Sequence, residues 1–479
     1  VHILSDFFDT YPKYKDRRKA LDHVMDELSR PMLFTSLTTA AGFGSLAFTP
    51  IPPVQTFGIF IAFGVFMAWI LTVTLVPAYI MLMKEESLQG FGMVHHEEGE
   101  AKSPLAKLLQ ATGHFTYHRA KFILVLMLVL MGVAGYGISK IQINDNPVKW
   151  FNKNHEIRVA DRELNERFAG TYMAYLELRP QEDVSKSFAE ALGRALENSN
   201  AEGRYLKEKL PEMQGDINAI KDFIYAQQDA AGDDQAYDAW DTIATIVDDV
   251  YGRFEIFKQP AMLNYVEKLQ DYLLQTGLVG KSNALPDIVK TVHRELLLGE
   301  EKEYRIPDTQ NAVAQTLITY QNSHRPNDLW HFTTPSYDKT VLWIQLKSGD
   351  NKDMNKVVEA VHTFFNQNKP PVALAHDWFG LTYINVVWQA KMVAGMMEAF
   401  LGSFVIVLVM MIFLFRSLLW GVLSMVPLTV TIAFIYGIIG IIGKDYDMPV
   451  AVLSSLSLGL AVDYSIHFLA RSREAAKKC

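Results

Sequence analysis

The sequence predicts a polytopic α-helical membrane protein with six transmembrane helices and a large extracytoplasmic α/β domain of ferredoxin-like type that carries a helical insertion. Three observations predict it. From Pro31 to Met83, 53 residues contain no Asp, Glu, Lys or Arg. The lysines and arginines of the short loops segregate sixteen to one. Residues 140–395, by contrast, hold 28 basic and 37 acidic residues in a mixed α/β pattern.

A hydrocarbon core about 30 Å thick takes roughly 20 mostly apolar helical residues to cross. The uncharged run exceeds that, and Pro50-Ile-Pro-Pro53 breaks it into a helical hairpin over 31–83. A third span follows at 120–139, and residues 396–471 hold three more. Residues 1–8 read as the end of a truncated transmembrane helix, 9–30 as a basic cytoplasmic linker, 84–119 as a cytoplasmic loop and 472–479 as a cytoplasmic tail. Lys13 to Arg30, Lys84 to Lys121, Arg416 and the tail supply sixteen basic residues on one side, against Lys444 alone on the other. Positive loops stay in the cytoplasm, which puts 140–395 on the periplasmic or extracytoplasmic side of an inner membrane. Val1 is not Met, and the chain opens in what reads as a helix end, so a fragment of a longer chain is expected.

Within 140–395, Tyr172–Arg179 and Thr340–Lys347 alternate as strands, each followed by a helical stretch, 184–197 and 352–366, with a strand-like 372–376 after the second. These are split β-α units, and about 205–325 reads as the helical insertion. The net charge of −8 excludes a general nucleic-acid binder. Cys479 is the only cysteine, which excludes an internal disulfide or a cysteine zinc cluster. His155, His293, His324, His331, His362 and His376 are scattered without metalloprotease spacing and read as surface or packing residues. The run Asp229–Asp241 lacks the order of oxygen ligands in a calcium loop and reads as a solvated helix start. No constellation supports an enzyme, and no cofactor is expected beyond the proton as coupling ion.

The informative chemistry lies in the last span. Asp463 is the only acid within 448–470. A carboxylate near the middle of a membrane helix costs at least about 2.5 kcal/mol, so such acids line polar interiors and act there. His467 follows four residues on and Gly459 precedes by four, on one helical face, with Tyr464 and Ser465 adding hydroxyls. A carboxyl and an imidazole one turn apart suit a proton relay; the plainer readings are an acid bonded to a neighbouring hydroxyl at headgroup depth and an interfacial anchoring histidine. Thr35, Ser36, Thr38 and Thr39, with Gly42 and Gly44 beyond them for close helix packing, offer a matching polar face. Those hydroxyls could equally bond their own backbone. Val1-His-Ile-Leu4, ahead of a basic stretch, echoes Ile466-His-Phe-Leu469, which suggests a repeated helix end.

GLAVDYSIHFLARSRE, FLFRSLLWGVLSMVPL, RPMLFTSLTTAAGFGSLAF and PIPPVQTFGIFIAFG together resemble the resistance-nodulation-division superfamily, in its branch of mycobacterial-type (MMPL) and hopanoid-type lipid exporters. The resemblance implies a full protein of twelve spans and two porter domains, driven by protons, with an acid on each of two central helices. Asp463 would be the proton carrier of the second half and Tyr464 its adjacent partner; the other acid would fall three residues before Val1. Expected partners are the bilayer, a hydrophobic or lipid-like substrate and the remainder of the transporter, with homo-oligomerisation left open. Two other readings are a sterol-sensing-type lipid-binding regulator, which needs no acid at 463, and a proton-driven protein-export accessory, whose porter domains are smaller.

Overall fold

The computed structural model describes residues 2–84 and 104–478. Cys479 and Lys102 lie outside them. The chain forms two compact units, one of residues 2–145 and 388–478 and one of Asn146–Val387. In order, the helices and strands are α1 (His2–Tyr14), α2 (Arg17–Gly44), α3 (Pro52–Leu82), α4 (Pro104–His118), α5 (Ala120–Ile138), α6 (Glu156–Arg167), β1 (Tyr172–Pro180), α7 (Val184–Ala195), α8 (Ala201–Met213), α9 (Ile217–Asp229), α10 (Asp234–Gly252), α11 (Pro260–Gln275), β2 (Val279–Asn283), α12 (Leu285–Leu296), α13 (Gln310–Gln321), β3 (Thr340–Leu346), α14 (Asn351–Gln367), β4 (Leu374–Phe379), α15 (Leu381–Phe415), α16 (Leu418–Ile441) and α17 (Met448–Lys478).

The first unit is helical. Asp16 caps α2 by accepting from the Arg18 and Lys19 amides at 2.9 and 3.2 Å. Pro52 stands at the first position of α3, where its missing N–H costs nothing and its fixed φ suits the helix. Five described helices are long and apolar enough to cross a membrane: α3, α5, α15, α16 and α17. The sixth expected span, near 31–49, is not among them. There the chain is the second half of α2, which ends at Gly44, so Pro31–Gly44 falls short of the roughly 20 apolar helical residues a crossing needs. The residues expected to form a linker at 9–30 are helical too, in α1 and the first half of α2. Large apolar side chains such as Phe60, Phe63 and Leu128 point outward from α3 and α5. Patches of that kind on a chain with five such helices are covered by lipid, and this is a multi-pass membrane protein.

Two contacts set the helix spacing in this unit. Val407, Met411 and Phe415 of α15 meet Met425 and Leu428 of α16 and Leu458, Val462 and Ile466 of α17. Helices α5 and α16 approach backbone to backbone: a Cβ on Gly437 would lie 2.6 Å from Ala134 Cα, and one on Gly440 would lie 1.8 Å from Gly137 O. Only glycine permits that approach, the small-residue packing of membrane helices.

The second unit holds a four-stranded sheet in the order β2-β3-β1-β4, with every neighbouring pair antiparallel. Alternate residues of β3 are buried, as period-2 side-chain alternation requires of a sheet packed on one face. Leu176, Leu342 and Ile344 form one core with Met262, Val266 and Leu269 of α11 and with Met354, Val357 and Val361 of α14. A second core, around Phe188, Leu206, Ile224, Trp240 and Val247, belongs to α7–α10. Strand β2 falls inside the 205–325 stretch expected to be helical; VGKSN is five residues without apolar alternation, too short to announce itself. The acidic run 229–241 forms the end of α9 and the start of α10, where Asp233 caps the helix by accepting from the Ala236 amide at 2.8 Å.

Replacing Gly437 by Leu should force α5 and α16 apart, at a cost of about 1–3 kcal/mol or more for overpacking. The measurement is the unfolding midpoint in detergent, compared with Gly132→Leu, where nothing lies within 4 Å of the added Cβ. Equal midpoints would show that the glycine contact does not set the spacing.

Candidate functional site

Three helices of the first unit meet around a cavity of about 710 Å3. Each supplies a stripe at helical spacing: Met32, Thr35, Ser36 and Thr39 from α2; Val65, Ala68, Trp69 and Thr72 from α3; Leu460, Asp463 and Tyr464 from α17. Residues at i, i+3, i+4 and i+7 share one face of a helix, so each stripe is the inner face of its element. His467 is the next position of the α17 stripe, and its side chain lies outside those described.

The hydroxyl face divides by partner. Thr38 donates to Thr35 O at 2.9 Å, inside its own helix, and does not line the cavity. Thr39 instead crosses to α17, donating to Gly459 O at 3.1 Å in a buried bond. Gly459 makes that crossing close: a Cβ there would stand 3.4 Å from Thr39 Cα. Gly42 is buried and its carbonyl accepts from Ser45 Oγ at 2.8 Å, while a Cβ on Gly44 would meet Ala62 of α3 at 3.8 Å. Ser465 is buried away from the cavity, beside Val462 and Ile466. Tyr464 lines the cavity and is largely exposed.

Three buried polar atoms on residues of this wall have no hydrogen-bond partner among the described residues: Thr35 Oγ1, Trp69 Nε1 and Asp463 Oδ1. Unpaired buried polar groups are rare because each costs about 1–3 kcal/mol. A hydroxyl, an indole N–H that can only donate and a carboxyl oxygen that can accept surround a space wide enough for several waters. Sequence reasoning reached the α2 and α17 stripes and missed Trp69 and Thr72. Their signal is the 65, 68, 69, 72 spacing within an otherwise uniformly apolar helix.

The histidines of the second unit are not drawn into one cluster. His362 and His376 stand 5.0 Å apart edge to face, and His376 stacks on Phe365 at 4.8 Å. Burial, with His362 nearby, lowers the His376 pKa below the usual histidine value, so its neutral ring packs at pH 7. Among the described residues no group of three His, Cys, Asp or Glu could hold a metal ion.

A profile of the MMPL family matches residues 7–96 and 276–478, well over half the chain. The chain belongs to the MMPL family. That bears out the resemblance carried by the motifs of the membrane helices. This MMPL chain is also 24% identical over 222 residues to a protein of Methanocaldococcus jannaschii described as a membrane protein, a match covering 46% of the chain and 54% of that relative. A structural likeness to the hedgehog release protein Disp of the water bear Hypsibius dujardini has a TM-score of 0.42 and 13% identity, over 97% of this chain and 51% of the other. The chain thus spans about half the length of each.

Gly459→Ala should be neutral or stabilising by about 0.5–1 kcal/mol, since the methyl meets Thr39 at ordinary contact distance and alanine is the better helix former. Gly459→Leu should destabilise by about 1–3 kcal/mol. Thermal unfolding in detergent reads both, and a stable leucine variant would mean that α2 and α17 do not meet at this point.

Proposed function

We propose that this MMPL chain is part of a proton-driven exporter of the resistance-nodulation-division type that moves hydrophobic or lipid-like substrates. The observation that carries the reading is Asp463: the lone acid of the apolar stretch 448–470, one oxygen without a partner among the described residues, on the wall of a cavity shared with the hydroxyl face of α2. In this reading Asp463 takes up and releases the coupling proton, Tyr464 and His467 extend its path, and Thr35, Ser36 and Thr39 hold water beside it. One proton crossing 100 mV delivers about 2.3 kcal/mol, which an amide at 463 could not collect.

The substrate class is supported by a second cavity of about 390 Å3, lined by Ile138, Ile143, Val393, Met396, Phe400 and Ile432 among others and almost wholly apolar. The antiparallel order β2-β3-β1-β4 is the ferredoxin-like order, which supports reading residues 140–395 as a porter domain, extracytoplasmic by the segregation of basic loops. With its 310 extension at Ser45–Phe48, α2 would supply the sixth span. The remainder of the transporter would supply the partner acid.

In the full-length protein, Asp463→Asn should abolish transport while expression and folding stay intact; proton-dependent transport by that variant would overturn the proposal. Lipid binding without any transport by the unaltered protein would favour a sterol-sensing-type regulator. For topology, in a Cys479→Ser background, Asp233→Cys should react with a membrane-impermeant thiol reagent in intact cells and Lys107→Cys should not. The opposite pattern would invert the assigned sides.

A further inference from the structure

Helix α4 runs into α5 with Arg119 alone between them, so one end of a membrane-crossing helix carries a second helix directly attached. All of its described side chains are exposed, Leu108, Phe115 and Tyr117 included. Along it lies a groove of about 630 Å3 lined by Lys107, Gln110, His114, Phe115, His118 and Arg119. The two imidazoles stack with their centroids 3.9 Å apart, and His118 Nδ1 lies 2.9 Å from His114 O. A carbonyl can only accept, so Nδ1 carries the hydrogen.

Among the described residues no carboxylate pairs with these cations. The sequence holds no Asp or Glu from 101 to 144, and among the described residues Lys107, Arg119 and Lys121 have no acidic partner. Like charges spaced along one exposed helix face call for an anionic surface. Their position says which anion: immediately after Lys121 the chain becomes apolar, and Phe122 and Leu124 already point outward to lipid. Arg119 and Lys121 therefore stand at headgroup depth, with Phe115 and Tyr117 close by in sequence where interfacial aromatic rings sit.

We propose that the α4 groove binds the phosphate of an anionic phospholipid at the membrane face where α5 begins. Lys107 and Arg119 supply the charge, Gln110 and the imidazoles hydrogen bonds, and Leu108 and Phe115 apolar contact with the upper acyl chain. Anchored this way, α4 holds the entry of α5 at a fixed depth. The site is independent of Asp463.

The test is native mass spectrometry of the full chain in detergent, titrated with dioleoylphosphatidylglycerol or dioleoylphosphatidylcholine. Each cation near an anionic surface contributes about fivefold in affinity, so Lys107→Gln/Arg119→Gln should lose roughly 30-fold in phosphatidylglycerol binding. Phosphatidylcholine binding should not change, and the charge-keeping Lys107→Arg/Arg119→Lys should bind phosphatidylglycerol as the unaltered chain does. Equal retention of both lipids by the unaltered chain, or undiminished phosphatidylglycerol binding by the glutamine variant, would overturn the proposal. Displacement of the lipid by millimolar inorganic phosphate would show a free-phosphate site and overturn it equally.

Discussion

Hydrocarbon cannot hydrogen-bond, and the membrane unit is arranged around that constraint. Every polar atom placed among its helices must find a partner inside the protein or line a space that holds water. Most comply locally: the Thr72, Thr74, Ser403 and Ser424 hydroxyls all bond a carbonyl three or four residues earlier in their own helix. Two side chains tie elements together instead: Tyr436 of α16 donates to Val450 O of α17 at 3.3 Å, and the Thr39 bond to Gly459 O fixes α2 against α17 one turn before Asp463. The unpaired atoms of Thr35, Trp69 and Asp463 then fall on residues around one cavity. Three such atoms on one cavity wall are the pattern of a working site.

The same constraint explains the glycines. Apolar burial offers no driving force between helices in lipid, so association depends on close packing. Gly437 and Gly440 meet Ala134 and Gly137 so closely that backbone touches backbone. At the adjoining helix ends the strands of chain are tied by polar bonds instead: Asn144 donates to Asp445 at 2.7 Å, and Gln389 accepts from the Asp145 amide at 2.7 Å. Packing within the bilayer and polar bonds at its edge divide the work of fixing α5 against α15 and α16.

Much of this was legible in the sequence, and the failures have physical causes. The spacing 459, 463, 464 placed Gly459 and Asp463 on one face because helical periodicity is unambiguous in a long apolar stretch, and the dense hydroxyls of 35–39 marked their own stripe. Trp69 was not legible, because an indole in a membrane helix fits an interfacial belt as well as an interior wall, and only the neighbouring helices decide between them. The glycine contact of α5 with α16 was not legible, because which glycine meets which depends on helix rotation. Strand β2 was hidden because its pairing with β3, not its own pattern, makes it a strand: Val279 lies opposite Leu346 and Asn283 opposite Trp343, with an irregular step between.

The shortfall of α2 as a crossing helix follows from its composition. Its first half is charged and amphipathic, burying Ala20, Leu21, Val24 and Leu28 against Ile3 and Phe7 of α1 and Ile80 of α3. Its second half spends several positions on hydroxyls and glycines, where a simple membrane anchor would carry leucines. Those substitutions weaken the helix as an apolar span and give it a polar stripe that meets α17. A segment selected only to cross the bilayer would gain by losing Thr35, Ser36 and Thr39. Their presence beside Asp463, the one acid within 448–470, is understandable if α2 serves the cavity first and the bilayer second, with α3 and α17 shielding its polar face from lipid.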